Sequence, residues 1–303
     1  MHGTALYAEA VGLGRTDGDA AGASAGGCVK MKLAHAQLAG MNLLYKWHSM
    51  PYFFDAMQEL GFESISFWGG PPHFDCDFKG YQDVGQIRQE AEHRGLKIVG
   101  FLATSTNYRY QVGITEPEHR ERAFRYFSNG IHAAADMGSP SVGINTGWGY
   151  RDMDREEAFK RCADMLWRLC EVCEQNGVVL ALESLKALET TIGVTLEDCR
   201  RMVKLIDHKS LRIMPDTGAI AYNGERLEDW FATFGDQIAA LHFVDGMHQA
   251  WGDGQAPLDD MMATLSRYAF RGPLMLETSS AKYMINPKEA DRKAMAVLSR
   301  FIE

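Results

Sequence analysis

Four side chains able to bind a divalent cation stand at or near the ends of four successive short apolar runs. They are Glu183 in Leu-Ala-Leu-Glu-Ser, Asp216 in Ile-Met-Pro-Asp-Thr, His242 in Leu-His-Phe-Val-Asp and Glu277 in Leu-Met-Leu-Glu-Thr, spaced by 33, 26 and 35 residues. An apolar run has no intrinsic reason to finish on a charge. Three carboxylates brought to one place repel each other and cannot all stay ionised unless something offsets them. A divalent cation does that. Three oxygen-donor residues and one imidazole suit Mn²⁺ first, then Co²⁺ or Mg²⁺, with positions left for substrate oxygens. Zn²⁺ is compatible but less natural with this donor set. A lone strand-end acid commonly caps the next helix N-terminus; four on consecutive runs point to a shared task.

The elements that must position these groups alternate along the chain. Eight short runs rich in Val, Ile, Leu or Phe are expected as strands: Leu33–Leu38, Glu63–Trp68, Lys97–Leu102, Ser141–Thr146, Val178–Glu183, Leu211–Asp216, Ile238–Phe243 and Pro273–Glu277. Apolar residues on both faces fit a buried parallel sheet. Helix-period stretches lie between them, and Gly61, Gly95, Gly138, Gly177 and Gly235 end five of these just before the next strand, as C-terminal glycines do. Eight strand–helix units over residues 31–303 predict one (β/α)₈ TIM barrel, whose active site forms at the C-terminal ends of its strands. An open doubly wound sheet would have fewer strands and a glycine fingerprint after the first. Residues 1–30 are expected to form a flexible, disordered leader, because Gly12 to Gly27 is nearly all small or polar. Met31 offers an alternative start. The glycines at 12, 14 and 18 lack the preceding strand and following helix of a phosphate loop.

The balance of 31 basic against 40 acidic residues gives a net charge of −9. It disfavours phosphate backbones, and hence nucleic acid as a partner. It also disfavours anionic membrane surfaces. No apolar run reaches the length of a membrane span. Six cysteines in 303 residues make no disulfide framework, so the expected compartment is the reducing cytoplasm. Cys162, Cys170 and Cys173 share a helical face and are expected as buried small side chains.

The quartet and its spacing resemble the xylose-isomerase-like sugar isomerase/epimerase superfamily, and within it match the metal-binding Glu, Asp, His and Glu of the tagatose/psicose 3-epimerases. Trp68-Gly-Gly-Pro-Pro-His73, His242-Phe-Val-Asp-Gly246, Gly252-Asp-Gly254 and Tyr283-Met-Ile-Asn-Pro287 are similar to fructoselysine 3-epimerase-like proteins. Two places depart from the tagatose pattern: Ala219 replaces a His, and His248 an Arg, that touch substrate there. The resemblance implies C3 epimerisation of a ketose or ketose conjugate through an enediolate, with Glu183 and Glu277 as metal ligands and as the acid/base pair. It further implies a sugar as the small-molecule partner and a homo-oligomer, dimer or tetramer. Glu189 matches a family position that contacts substrate hydroxyls.

Trp68, His73, Asn145 and His248 are further candidates for substrate binding; Trp68, Trp148 and Trp251 could stack on a sugar or cover the site, and simple lid or core packing is the equal alternative for each. Arg109, Lys186 and Arg271 could form an anion site, although solvated surface positions are the default expectation for each. A lyase on the same scaffold, resembling inosose dehydratase or the catalytic subunit of C-glycoside-cleaving complexes, would share the proton abstraction next to a carbonyl. A nuclease resembling endonuclease IV would need many His ligands, and only His242 stands at a strand end. A non-catalytic sugar-binding module would not need the complete quartet.

Overall fold

Glycine ends the helices because a left-handed residue is needed where each one turns back into the barrel. Gly61, Gly95, Gly138 and Gly177 take φ of 77°, 68°, 78° and 68°, a region open to glycine at little steric cost. A computed structural model describes residues 32–105 and 109–303. The leader expected over residues 1–30 and the start at Met31 lie outside the described residues.

Eight strands are found among the described residues: β1 (Leu38–Met41), β2 (Ser64–Gly69), β3 (Lys97–Ala103), β4 (Ser141–Ile144), β5 (Val179–Glu183), β6 (Leu211–Met214), β7 (Leu241–His242) and β8 (Leu274–Leu276). Every pairing is parallel, in the order β6-β5-β4-β3-β2-β1-β8-β7. Parallel bridges Ile213–Ile238 and Asp216–His242 then join β6 to β7 and bring the sheet back on itself. The helices are α1 (Met50–Glu59), α2 (Gly85–His93), α3 (Pro117–Met137), α4 (Arg155–Gln175), α5 (Leu196–Ile206), α6 (Thr217–Tyr222), α7 (Leu227–Phe234), α8 (Leu258–Arg267) and α9 (Pro287–Leu298). This is the (β/α)₈ barrel that the alternation predicts. No helix among the described residues is long and apolar enough to cross a membrane.

Two elements differ from expectation. The first strand is Leu38–Met41, not Leu33–Leu38. Leu33 instead bridges Ile302, and His35–Gln37 is a 3₁₀ turn. The true strand contains Ala39-Gly40, which reads poorly as strand. Glycine leaves space there for Met57, because a Cβ on Gly40 would sit 2.1 Å from Met57 Sδ and force that side chain to move. Helix α6 was not expected; it follows β6 directly and is six residues long.

Side chains on a strand alternate between two faces, and here one face fills the barrel and the other meets the helices. The interior layer is a separate cluster of Ala39, Met41, Leu102, Ala181, Met214, Ala240 and Met275. The large core between strands and helices takes the other face, for example Leu180 and Leu182 of β5 with Leu166 and Cys170 of α4. Cys162, Cys170 and Cys173 are buried and free, as the helical spacing predicts.

Candidate metal centre and active site

The period of two that fills the barrel also aims the quartet. Ala181, Met214, Ala240 and Met275 face the interior. Glu183, Asp216, His242 and Glu277 each follow one of these by two residues, so all four return to the same face one step nearer the C-terminal rim. They are buried, and one ligand atom from each lies within 4.8 Å of the other three. His242 Nδ1 sits at the middle: 2.7 Å from Glu183 Oε1, 3.0 Å from Glu277 Oε2 and 3.9 Å from Asp216 Oδ2.

Asp216 does cap the helix that follows it. Its Oδ1 accepts the Ala219 N–H at 2.6 Å at the start of α6. Its Oδ2 is left buried without a hydrogen-bond partner, as is His242 Nε2. Buried polar atoms are rarely left so. The neighbours keep this geometry stiff. The Ser184 hydroxyl accepts Asp216 N–H at 3.1 Å, and Thr217 Oγ1 both donates to Val244 O (2.7 Å) and accepts from Val244 N–H (2.8 Å), tying β6 to the segment after β7.

Electrostatics give the same answer as geometry. Burial works against a charged imidazole at His242, yet the facing carboxylates of Glu277 and Glu183 outweigh it and hold its pKa well above the ordinary histidine value. Burial works against a charged Glu277, yet His242, by charge and hydrogen bond, keeps its pKa below the usual carboxylate value. A ligating imidazole is neutral, so with His242 as a ligand the three formal carboxylates leave the quartet strongly negative. The orphaned buried Asp216 Oδ2 and His242 Nε2 and this negative charge fit a divalent cation, which Glu183, Asp216, His242 and Glu277 would hold.

The quartet opens into a cavity of about 250 Å³ lined by Trp68, Asn145, Glu189, His248, Glu183 and Glu277 among others. Trp68 lies half-buried on β2, its backbone held by Asn42 in two hydrogen bonds of 2.6 and 3.0 Å. Asn145 follows β4 and places its Nδ2 3.4 Å from Glu183 Oε2. Glu189 is pinned by Lys186, whose ammonium is 2.9 Å from Oε1 and whose backbone N–H reaches Oε2 at 3.1 Å. Lys186 is therefore a buried, paired cation rather than a solvated one. Burial lowers its pKa, but Glu189, Asp216 and Glu277 together raise it above the ordinary lysine value.

His248 is held in an unusual backbone conformation. Met247 and His248 have φ of 57° and 52°, which bulky residues adopt only when the surroundings insist. The Asp245 carboxylate supplies the constraint. It accepts N–H bonds from Gly246, Gly252, Gly254 and Ala256 at 2.7–3.0 Å and gathers the whole segment after β7. Ser279 and Ser280 N–H bind the His248 carbonyl at 3.1 and 3.2 Å. The imidazole ends with Nε2 3.4 Å from Asp216 Oδ2. The Asp245-Gly246 and Gly252-Asp-Gly254 motifs were the visible signal for this device; its role in placing His248 was not read from them.

Three of the named residues stand outside the cavity. His73 does not line the cavity: its ring binds Asn42 Nδ2 (3.2 Å) and the His48 carbonyl (2.8 Å), joining the segments after β1 and β2, and burial lowers its pKa. Trp251 is core, packed on Phe243 at 4.7 Å between ring centroids, with its indole N–H on Phe243 O. Arg271 precedes β8 and donates to Lys32 O, whereas Lys186 follows β5, so the two lie toward opposite ends of the barrel and share no anion site. Lys46, which the sequence did not single out, lines the cavity.

The pattern of the family described as Xylose isomerase-like TIM barrel matches residues 54–301, and the chain belongs to that family. It is 27% identical over 243 residues to the fructoselysine 3-epimerase of Shigella flexneri, covering 78% of this chain and 87% of the relative. It is 18% identical over 231 residues to the D-psicose 3-epimerase of Ruminiclostridium cellulolyticum, covering 75% and 77%. The apo crystal structure of the 3-keto-D-glucoside 4-epimerase of E. coli superposes with a TM-score of 0.74 at 18% identity, over 87% of this chain and 99% of that one. That likeness is one of fold.

Proposed function

We propose that this chain is a divalent-metal-dependent sugar epimerase that inverts C3 of a ketose or ketose conjugate. The observation that carries the reading is the quartet itself: two buried glutamates that both approach His242 Nδ1 and both line a sugar-sized cavity. The relatives named as 3-epimerases support the reaction class.

A C–H beside a carbonyl is a weak acid, and the bound cation, Mn²⁺ by expectation, supplies Lewis-acid stabilisation of the charge that builds on the substrate oxygens. The chain supplies the proton transfers. Glu183 and Glu277 each turn one carboxylate oxygen toward His242 and keep the other for a proton. One removes the C3 proton and the other delivers a proton to the opposite face, which inverts the centre. Asn145, bonded to Glu183 Oε2, orients that base. Glu189, Trp68 and His248 position the hydroxyls and the carbon chain. His73 acts behind the cavity wall, through Asn42 and the backbone at Trp68.

Candidate ketoses in D₂O with Mn²⁺ should take up deuterium at C3. Deuterium at C1 or C2 would make the enzyme an aldose–ketose isomerase, loss of water or of an aglycone would make it a lyase, and no exchange in any ketose would remove the epimerase reading.

A further inference from the structure

We propose that a cleft beside the catalytic cavity, walled by Trp148, Tyr150 and Leu188, is a second subsite that takes an aromatic group carried by the sugar. The inference rests on the ketose reading above and narrows its substrate to an aryl-bearing conjugate. The cleft has a volume of about 500 Å³ and shares Glu189 with the catalytic cavity of about 250 Å³. The smaller space lies below the range of about 300–1,000 Å³ usual for sites that enclose a drug-sized ligand, and it suits the sugar alone. The larger one begins where the sugar's site ends.

The cleft is built, not a chance dent between mobile loops. Its walls are the segments after β4 and after β5, and these are stitched together. Thr146 Oγ1 donates to Ile192 O at 2.6 Å, Thr190 Oγ1 to Gly147 O at 2.6 Å, Arg155 Nε to Thr191 O at 2.8 Å and Arg151 Nη2 to Leu188 O at 3.1 Å. The segments approach so closely that a Cβ on Gly149 would lie 2.2 Å from Thr191 Oγ1. On this fixed frame Tyr150 and Leu188 remain 49% and 52% exposed. Adjoining large apolar side chains held out to solvent mark a binding surface, and a backbone frame already in place lowers the ordering cost of binding. Tyr150 offers a ring face for stacking. The Arg151 guanidinium beside it favours an aromatic occupant over an alkyl one.

The test uses the full-length chain loaded with Mg²⁺ and isothermal calorimetry, which reads the ratio of affinities directly. The probes are 1-benzylamino-1-deoxyfructose and 6-O-benzylfructose, each beside its methyl counterpart. At least one benzyl compound is expected to bind about tenfold or more tightly than its methyl partner. Tyr150→Ser with Leu188→Ser should bring that ratio to within about twofold. Circular dichroism checks that the double variant folds, and Tyr150→Ser alone carries the same expectation if it does not. Absence of a benzyl preference, at whatever affinity, overturns the subsite. So does an unchanged ratio in the variant, including the case where light scattering shows an oligomer falling apart and assigns the cleft to a second copy of the chain. A benzyl preference with no C3 exchange in D₂O keeps the subsite and removes the epimerase reading; C3 exchange with no benzyl preference does the reverse.

Discussion

Asp291 on α9 and Glu277 after β8 are both buried carboxylates, and the barrel treats them in opposite ways. Asp291 meets a hydroxyl: Tyr45 donates to its Oδ2 at 2.5 Å. Burial dominates there and pushes its pKa up to about 7, against the lowering effect of that hydrogen bond. Glu277 meets an imidazole 3.0 Å away, and the charge on His242 overcomes the same burial. A neutral partner lets burial protonate an acid, whereas a cationic partner keeps it charged. The quartet is thus a place that demands positive charge. A surface cluster makes the same point from the other side. His208 lies 2.8 and 3.6 Å from Glu171 and Glu174, and Lys209 is 2.5 Å from Glu174. Its residue types are those of a metal site, but solvent and Lys209 already answer its charge.

The comparison breaks most sharply at the bases. Glu277→Gln or Glu183→Gln removes a proton-transfer group and should slow C3 deuterium exchange by about 10²–10⁴-fold. Retention of near-normal exchange by either variant would show that its carboxylate moves no proton.

Metal dependence comes next. Mn²⁺ at a thousand times its Kd should stabilise the fold by about 4 kcal/mol, read as a rise in Tm that EDTA reverses. Asp216→Asn keeps an oxygen to cap Ala219 but loses the charge on the cluster, and most of the rise should vanish with it. An unchanged Tm on adding Mn²⁺, Co²⁺, Mg²⁺ or Zn²⁺ would leave the quartet's negative charge without its expected partner.

Asp291 should sharpen the contrast through pH. Its folded pKa of about 7 lies above the unfolded value near 4. Below pH 4 both states hold the proton. Between about pH 4 and 7 only the unfolded chain releases it, so the native state loses stability as pH rises, and above 7 the effect levels off. Asp291→Asn removes this slope. The stability of wild type minus that of the variant, from urea melts at pH 4 and pH 7, should fall over that window; a flat difference would mean that Asp291 is ionised in the folded protein.

The smallest effect is expected at the surface. Glu174→Gln should change stability by no more than about 0.5 kcal/mol and leave the Mn²⁺-induced rise in Tm intact. Loss of that rise would move the metal to the surface cluster.

Much of this arrangement was legible in the residues. Leu-Ala-Leu-Glu, Ile-Met-Pro-Asp and Leu-Met-Leu-Glu announce buried strands that finish on an acid, and the recurring helix-end glycines mark the units of the barrel. Local pattern misled where packing overrode it. Ala39-Gly40 forms a strand because it pairs on both sides, with β2 and β8, while the more strand-like Leu33–Leu38 does not. His73 and Trp251 stand after strands, as site residues would, yet each spends its polar atoms on a backbone carbonyl within the framework. Lys186 reads as a surface lysine until Glu189 folds over it.

The order of residues alone determined which side chains stand at strand ends, because the alternation of a strand is a local property of the backbone. It thereby determined the composition of the quartet and the number of units that close around it. Tertiary structure decided what a one-dimensional pattern does not carry. It decided that two glutamates approach His242 Nδ1, that the Asp245 carboxylate bends His248 into the mouth, and that Glu189 divides two neighbouring spaces. Those facts depend on distances between segments remote in the chain, and such distances are set by how all eight strands pack at once.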